Sequence, residues 1–208
     1  MFIHKDSLLK NINNKKEDTL SKLLILSGAP SAGKSTLAQR YAENNPLALR
    51  LDIDRVRELI GGWQTYQPES NILKMELSYA MAATHLSGGH DVVVAQHIPD
   101  ARQYERFEDI AKQTGSMLCE VLLYMPADEA VRRCIARGKA MGYQTGFRPG
   151  GVLESSGGEK KLRAMHAEMI AATSHRPNLH VIRSHQGMID QTYTQVLAAL
   201  AVSQVPTP

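Results

Sequence analysis

From Lys22 onward the chain alternates short apolar runs with stretches whose apolar residues recur at helical spacing. Residues 23–27 form an apolar run fit for a buried parallel strand, and residues 35–44 a helix-permissive stretch stopped by Asn45 and Pro46. Residues 48–54 predict a second strand and residues 55–60 a short helix broken by Gly61 and Gly62. Across residues 70–86, Ile72, Leu73, Leu77, Ala80 and Met81 recur at helical spacing, with Gly88 and Gly89 as the stop. The run "DVVVAQ" at 91–96 predicts a third strand. Asp100 and Gly115 bracket a fourth helix as its N- and C-caps, and residues 117–125 make the longest β-type run. A helix over 128–137 follows Pro126. A helix over 159–172, a strand over 179–183 and a helix over 188–201 complete the chain. Five strands alternating with helices, joined by right-handed crossovers, give a three-layer α/β/α sandwich around a five-stranded parallel sheet.

One stretch interrupts this rhythm. Residues 139–158 contain six glycines and one proline, and the stretch is far longer than the ~4–6 residues of an ordinary connection. That length predicts a moving lid. At the other end, residues 1–21 are rich in Lys, Asn and Asp, with only Ile3, Leu8, Leu9 and Ile12 offering a weak amphipathic turn. They read as a polar extension ahead of a domain spanning 22–202, with 203–208 as a short tail.

Composition narrows the partners. The 208 residues carry 24 Lys and Arg against 21 Asp and Glu, a net charge of +3 that is not gathered into a block. Nothing there demands a nucleic-acid or membrane partner, and no apolar run approaches the ~20 residues of a membrane span. Cys119 and Cys134 lack metal-ligand spacing, the histidines suggest no zinc site, and no signal peptide is legible, so a reducing cytoplasm is expected. The choice between monomer and dimer stays open.

The chemistry begins at "GAPSAGKS". Gly28, Gly33, Lys34 and Ser35 fit G-x-x-x-x-G-K-[S/T], and the match lies between a predicted strand and a predicted helix, the context that gives the pattern meaning. The loop Gly28, Ala29, Pro30, Ser31, Ala32 and Gly33, with Lys34, Ser35 and Thr36, then turns successive N–H groups toward a phosphate at the positive end of the helix. Lys34 supplies a cation for the β and γ phosphates, and the Ser35 hydroxyl a ligand for Mg²⁺. A nucleoside triphosphate is the expected occupant.

Downstream, "LRLDIDRVRELIGGW" carries the second clue. Strand alternation places Leu49, Leu51 and Ile53 on one face and Arg50, Asp52 and Asp54 on the other, with Asp54 at the carboxyl edge where open α/β sheets bind ligands. There Asp54 can take the proton of an attacking hydroxyl or hold Mg²⁺ through water, and Arg57 can meet an anionic group on the acceptor. A competing reading makes Asp54 only the cap of the helix starting at Arg55. Trp63, the only tryptophan, lies just beyond with Tyr66, either as a wall for an acceptor ring or as a packing anchor.

The loop from Gly28 to Thr36, Asp54-x-x-Arg57, "AVRRCIARG" and a Gly-rich lid together resemble the adenylate-kinase-like branch of P-loop kinases. Within that branch they resemble the small-molecule and 5'-hydroxyl kinase group, which includes chloramphenicol phosphotransferase, gluconate kinase, zeta toxins and the kinase half of polynucleotide kinase. The resemblance implies a P-loop NTPase fold, ATP and Mg²⁺, Asp54 as general base, Arg57 on the acceptor, and lid arginines closing on the transferring phosphate. Those map onto Arg137, then Arg133, with Arg148 in "GFRPGG" as a further candidate. Arg133 and Arg137 share a helix face, which has a plainer reading as a solvated one. Many relatives end the third strand in an Asp, whereas this chain has Ala95, Gln96 and His97, so the metal- and water-positioning carboxylate has no counterpart there.

The expectation is therefore an ATP-dependent phosphotransferase acting on a hydroxyl of a small molecule. Lys34, Asp54 and Arg137 are its catalytic residues, and Arg57, Asp52 and Trp63 face the acceptor. The alternatives are a kinase for nucleotides or polynucleotide 5' ends, and a nucleotide-gated binding module that hydrolyses slowly.

Overall fold

The structure, a computed structural model, describes residues 20–203 apart from 97, 99, 150, 151, 175 and 177. All but two residues of the expected leader, the tail beyond 203, and His97 lie outside the described residues.

Five parallel strands form one sheet: β1 (Lys22–Gly28), β2 (Leu49–Leu51), β3 (Val92–Val94), β4 (Met117–Tyr124) and β5 (Leu179–Arg183), in the order β2-β3-β1-β4-β5. Being parallel, the sheet needs a crossover between strands, and covering both faces with helices buries it. On one face α1 (Lys34–Asn44), α7 (Glu159–Thr173) and α8 (Ile189–Val202) pack Leu37, Tyr41, Met169, Val196 and Leu200 onto Leu24, Leu26 and Val121. On the other, α2 (Ile53–Glu58), α3 (Gln67–Ser87) and α4 (Ala101–Gln113) pack Val56, Met75, Tyr79 and Phe107 onto Leu23, Ile25, Val92 and Val94. The expected three-layer α/β/α sandwich is therefore present, with the residues of β1 alternating between the two cores.

Three local details differ from the sequence reading. The second strand stops at Leu51, because the Asp52 carboxylate accepts the amides of Asp54 and Arg55 at 3.2 and 3.3 Å and starts α2 at Ile53. The apolar residues that signalled α3 face outward. Ile72, Leu73, Leu77 and Met81 are exposed, while Met75, Tyr79, Ala82 and Leu86 are buried. No helix among the described residues is long and apolar enough to cross a membrane.

The third difference concerns the Gly-rich stretch. Helix α5 (Ala127–Ala140) runs into it, a short helix α6 (Val152–Ser155) sits inside it, and Phe147 is buried against Val131 and Leu162. Gly138 makes this possible, since a Cβ there would lie 1.8 Å from the carbonyl oxygen of Gly146. The stretch expected to be a moving lid thus contains a short helix and packs Phe147 into a small apolar cluster with the helices on either side.

Candidate active site

The carboxyl end of β1 runs straight into the phosphate loop. At Gly28 a Cβ would meet the carbonyl oxygen of Leu123 at 2.8 Å, so only glycine lets the chain leave the sheet so close to β4. The loop turns through an Ala32 N–H to Ala29 O bond of 3.1 Å and a left-handed Ser31 (φ 65°) before α1 begins at Lys34. The amino end of α1 has no side-chain cap and no acidic residue in its first turn. Its amides and its partial positive charge are left for an anion. Lys34 folds back over the loop, its Nζ donating to Gly28 O at 2.7 Å and Ala29 O at 2.9 Å. Burial, with Arg137 nearby, lowers its pKa to about 8, and Asp54 acts in the opposite sense. Ser35 and Thr36 are exposed.

Asp54 lies in the first turn of α2, and Asp52, which the sequence placed with the acceptor, is the cap instead. This separates the two carboxylates by role. Asp54 is half-exposed, with its Oδ1 3.0 Å from Lys74 Nζ and 3.5 Å from Arg57. Lys74 comes from α3, packed against α2. The Arg57 guanidinium donates to Asn71 Oδ1 at 3.3 Å and lies 4.7 Å from the centroid of the Trp63 ring, and its Nε is buried without a partner.

Two clefts meet at the loop. One of about 600 Å³ is lined by Pro30, Arg57, Trp63, Tyr143, Phe147 and Arg148. A second of about 510 Å³ is lined by Gly33, Thr36 and the turn from Ser184 to Gly187 before α8. Ser31 and Arg137 border both. The fold thus places one backbone turn and one exposed guanidinium where the contents of the two clefts would touch. Among the described residues no group of three His, Cys, Asp or Glu is arranged to hold a metal ion, and Ala95 at the end of β3 is buried.

A phosphate loop at the tip of the central strand of a five-stranded parallel sheet agrees with the match of residues 23–148 to a family model described as an AAA domain. The chain belongs to that family. No curated protein sequence matches it. Among solved structures, one chain of the Pnkp1/Rnl/Hen1 RNA repair complex has a TM-score of 0.60 at 18% identity, over 77% of this chain and 48% of that one. This chain therefore spans about half the length of that protein. A gluconokinase from Sinorhizobium meliloti 1021 has a TM-score of 0.58 at 16% identity, covering 88% of this chain and 93% of its own. Shikimate kinase from Acinetobacter baumannii in complex with shikimate has a TM-score of 0.59 at 19% identity, covering 90% and 97%. These likenesses show a shared P-loop NTPase fold.

Within this AAA domain protein, the two arginines expected to share a role are divided. Arg137 is exposed at the cleft junction, but Arg133 is largely buried. It pairs with Glu129 and donates to Ser184 Oγ and Ser184 O at 3.1 Å each, while Ser184 Oγ donates to Ala32 O at 2.9 Å. Arg133 therefore braces the phosphate loop through β5 and is not a free lid cation. Arg148 lies exposed on the wall of the larger cleft, which Trp63 also lines. Sequence reasoning missed Lys74, Asn71 and Ser184. Lys74 reaches Asp54 from 20 residues away and Ser184 joins Arg133 across 51, so no local motif marks either.

Proposed function

We propose that the protein transfers the γ-phosphate of ATP to a hydroxyl group of a small molecule. The observation that carries this reading is the meeting of two clefts at Ser31 and Arg137, above a loop whose lysine and uncapped helix end suit a polyphosphate. A triphosphate bound along the loop extends its base into the cleft near Thr36 and the turn at 184–187. Its terminal phosphate then faces the larger cleft.

In the transfer, the acceptor oxygen forms a bond to the γ-phosphorus, the bond from that phosphorus to the β-bridging oxygen breaks, and the acceptor's proton leaves. Asp54 orients the hydroxyl and takes the proton, since the cap role belongs to Asp52 and the Asp54 carboxylate, half-exposed, is not spent on the helix start. Two cations hold Asp54, so orientation is its larger contribution. Lys34 and Arg137 neutralise charge on the moving phosphoryl group. The donors present suit Mg²⁺, which takes oxygen ligands and usually leans on phosphates: the Ser35 hydroxyl stands exposed at the start of α1. When bound, the ion neutralises charge shared between the β and γ phosphates.

Incubation with γ-labelled ATP and pooled hydroxyl-bearing metabolites and antibiotics tests the reading. Label on an organic acceptor is the expected result. Nucleotide binding with no transfer to any pool would replace the kinase by a nucleotide-gated binding module.

A further inference from the structure

One face of α3 grips three residues that the site depends on. Ser70, Asn71 and Lys74 lie three and four residues apart about Lys74, so they project from the same side of the helix. The Ser70 hydroxyl, almost fully buried, donates to the Trp63 carbonyl at 3.1 Å. Asn71 Oδ1 accepts from the Arg57 guanidinium at 3.3 Å, and Lys74 Nζ donates to Asp54 Oδ1 at 3.0 Å.

The last of these contacts has the most to decide. Trp63 is held through its main chain, and the Arg57 guanidinium also rests on the Trp63 ring. Asp54 has less support: its side chain is 48% exposed, and among the described residues Lys74 gives the one hydrogen bond to its carboxylate. Arg57 approaches the same oxygen, Oδ1, at 3.5 Å, and Lys34 is close enough for the Asp54 charge to act on its amine. A half-exposed carboxylate set among three cations can turn its oxygens in several ways. Lys74 selects one of them from behind, with its own side chain only 14% exposed.

We propose that Lys74 is a positioning residue for phosphoryl transfer: its ammonium ties down Oδ1 of Asp54, so that Oδ2 is the oxygen turned toward the acceptor hydroxyl. This rests on the phosphotransferase reading. In the step itself the proton passes from the acceptor hydroxyl to Oδ2 as that hydroxyl's oxygen bonds to the γ-phosphorus and the bond to the β-bridging oxygen breaks. Lys74 keeps its own protons and touches neither substrate. Misplacing a reacting group by ~1 Å can cost about 10²-fold in rate, which sets the scale of what Lys74 controls. A brace between α2 and α3 with no part in the reaction would shift Tm and leave turnover where it was.

The two roles separate in a double-variant cycle. Lys74→Met, which keeps most of the stem and removes the ammonium, is compared with wild type, Asp54→Asn and the double variant. Turnover is read as label leaving γ-labelled ATP for water and for the pooled acceptors, beside a nucleotide titration and thermal denaturation. Lys74→Met should lower kcat about 10- to 100-fold, with the KM for ATP and the nucleotide affinity within about two-fold of wild type. The double variant should turn over no more slowly than Asp54→Asn alone, because Lys74 acts only through that carboxylate. If circular dichroism shows Lys74→Met unfolded, Lys74→Ala enters the same cycle with the same expectation. Turnover of the Lys74 variant within two-fold of wild type, a loss that multiplies with that of Asp54→Asn, or nucleotide binding lost in step with turnover would overturn the proposal and leave an active wild type as a kinase. A wild type that binds ATP and passes label to neither water nor any pool would refute the phosphotransferase reading itself, and the proposal would fall with it.

Discussion

Asp52 and Asp54, two residues apart, should fail in opposite ways when altered. Asp52→Ala removes the side chain that accepts two amides at the start of α2, a loss worth about 1 kcal/mol for an N-cap. In a domain of this size that lowers Tm by roughly 2–4 °C. Asp54→Asn leaves that cap in place and weakens only contacts to Lys74 and Arg57. With Asp54 itself 48% exposed, solvent screens both pairs, so the stability cost stays below about 1 kcal/mol. Its effect falls on turnover, which should drop by roughly 10²–10⁴-fold for a group that orients and deprotonates a hydroxyl. Nucleotide affinity should hardly change. The assay pairs thermal denaturation with phosphoryl transfer and a nucleotide titration on all three proteins. The reasoning is refuted if Asp54→Asn keeps turnover within a few-fold of wild type, or if it loses nucleotide binding in step with transfer, which would move Asp54 into the metal's surroundings.

Other outcomes follow from the same geometry. Burial lowers the Lys34 amine to about 8; since the ammonium form is the one that holds phosphate, nucleotide affinity should be full near pH 6.5 and fall up to about ten-fold per pH unit above pH 8, as calorimetry across that range would show. The sign for folding is opposite: the unfolded chain, with an ordinary lysine near 10.5, binds the proton more tightly, so this group's penalty on stability is relieved as pH rises from 8 toward 10.5. Arg133→Ala should destabilise the fold by about 3 kcal/mol in urea denaturation by breaking a buried network, whereas Arg137→Ala should leave stability unchanged and lower turnover. Gly138→Ala, which places a Cβ against Gly146, should loosen residues 141–158 and speed their cleavage in limited proteolysis.

What the sequence disclosed depended on how local the cause was. The phosphate loop was legible because its glycines, lysine and serine act within one turn, between a strand and a helix that are themselves readable. Asp54 was assigned to a strand tip because alternation over 49–54 fits a strand as well as it fits a capped helix start. The capping carboxylate of Asp52 decides between them, and β2 ends three residues early. Arg133 and Arg137 look equivalent at a spacing of four, yet Ser184, brought in by β5, captures the first on the wall of the smaller cleft and leaves the second exposed where both clefts meet. The outward stripe of α3 has the same origin: periodicity marks a helix, but packing against β3 and α4 chooses which side is buried.

The central claim is that a phosphate passes from a nucleotide on the loop to a hydroxyl in the larger cleft. The most direct test compares wild type with Lys34→Ala, following γ-labelled ATP onto whichever acceptor the pooled screen returns while titrating nucleotide binding in parallel. Label should reach the acceptor hydroxyl in wild type, and the variant should lose transfer almost entirely while binding ATP more weakly, because the loop amides cannot replace the ammonium charge. Normal transfer by Lys34→Ala, or wild-type label appearing only as inorganic phosphate, would contradict it.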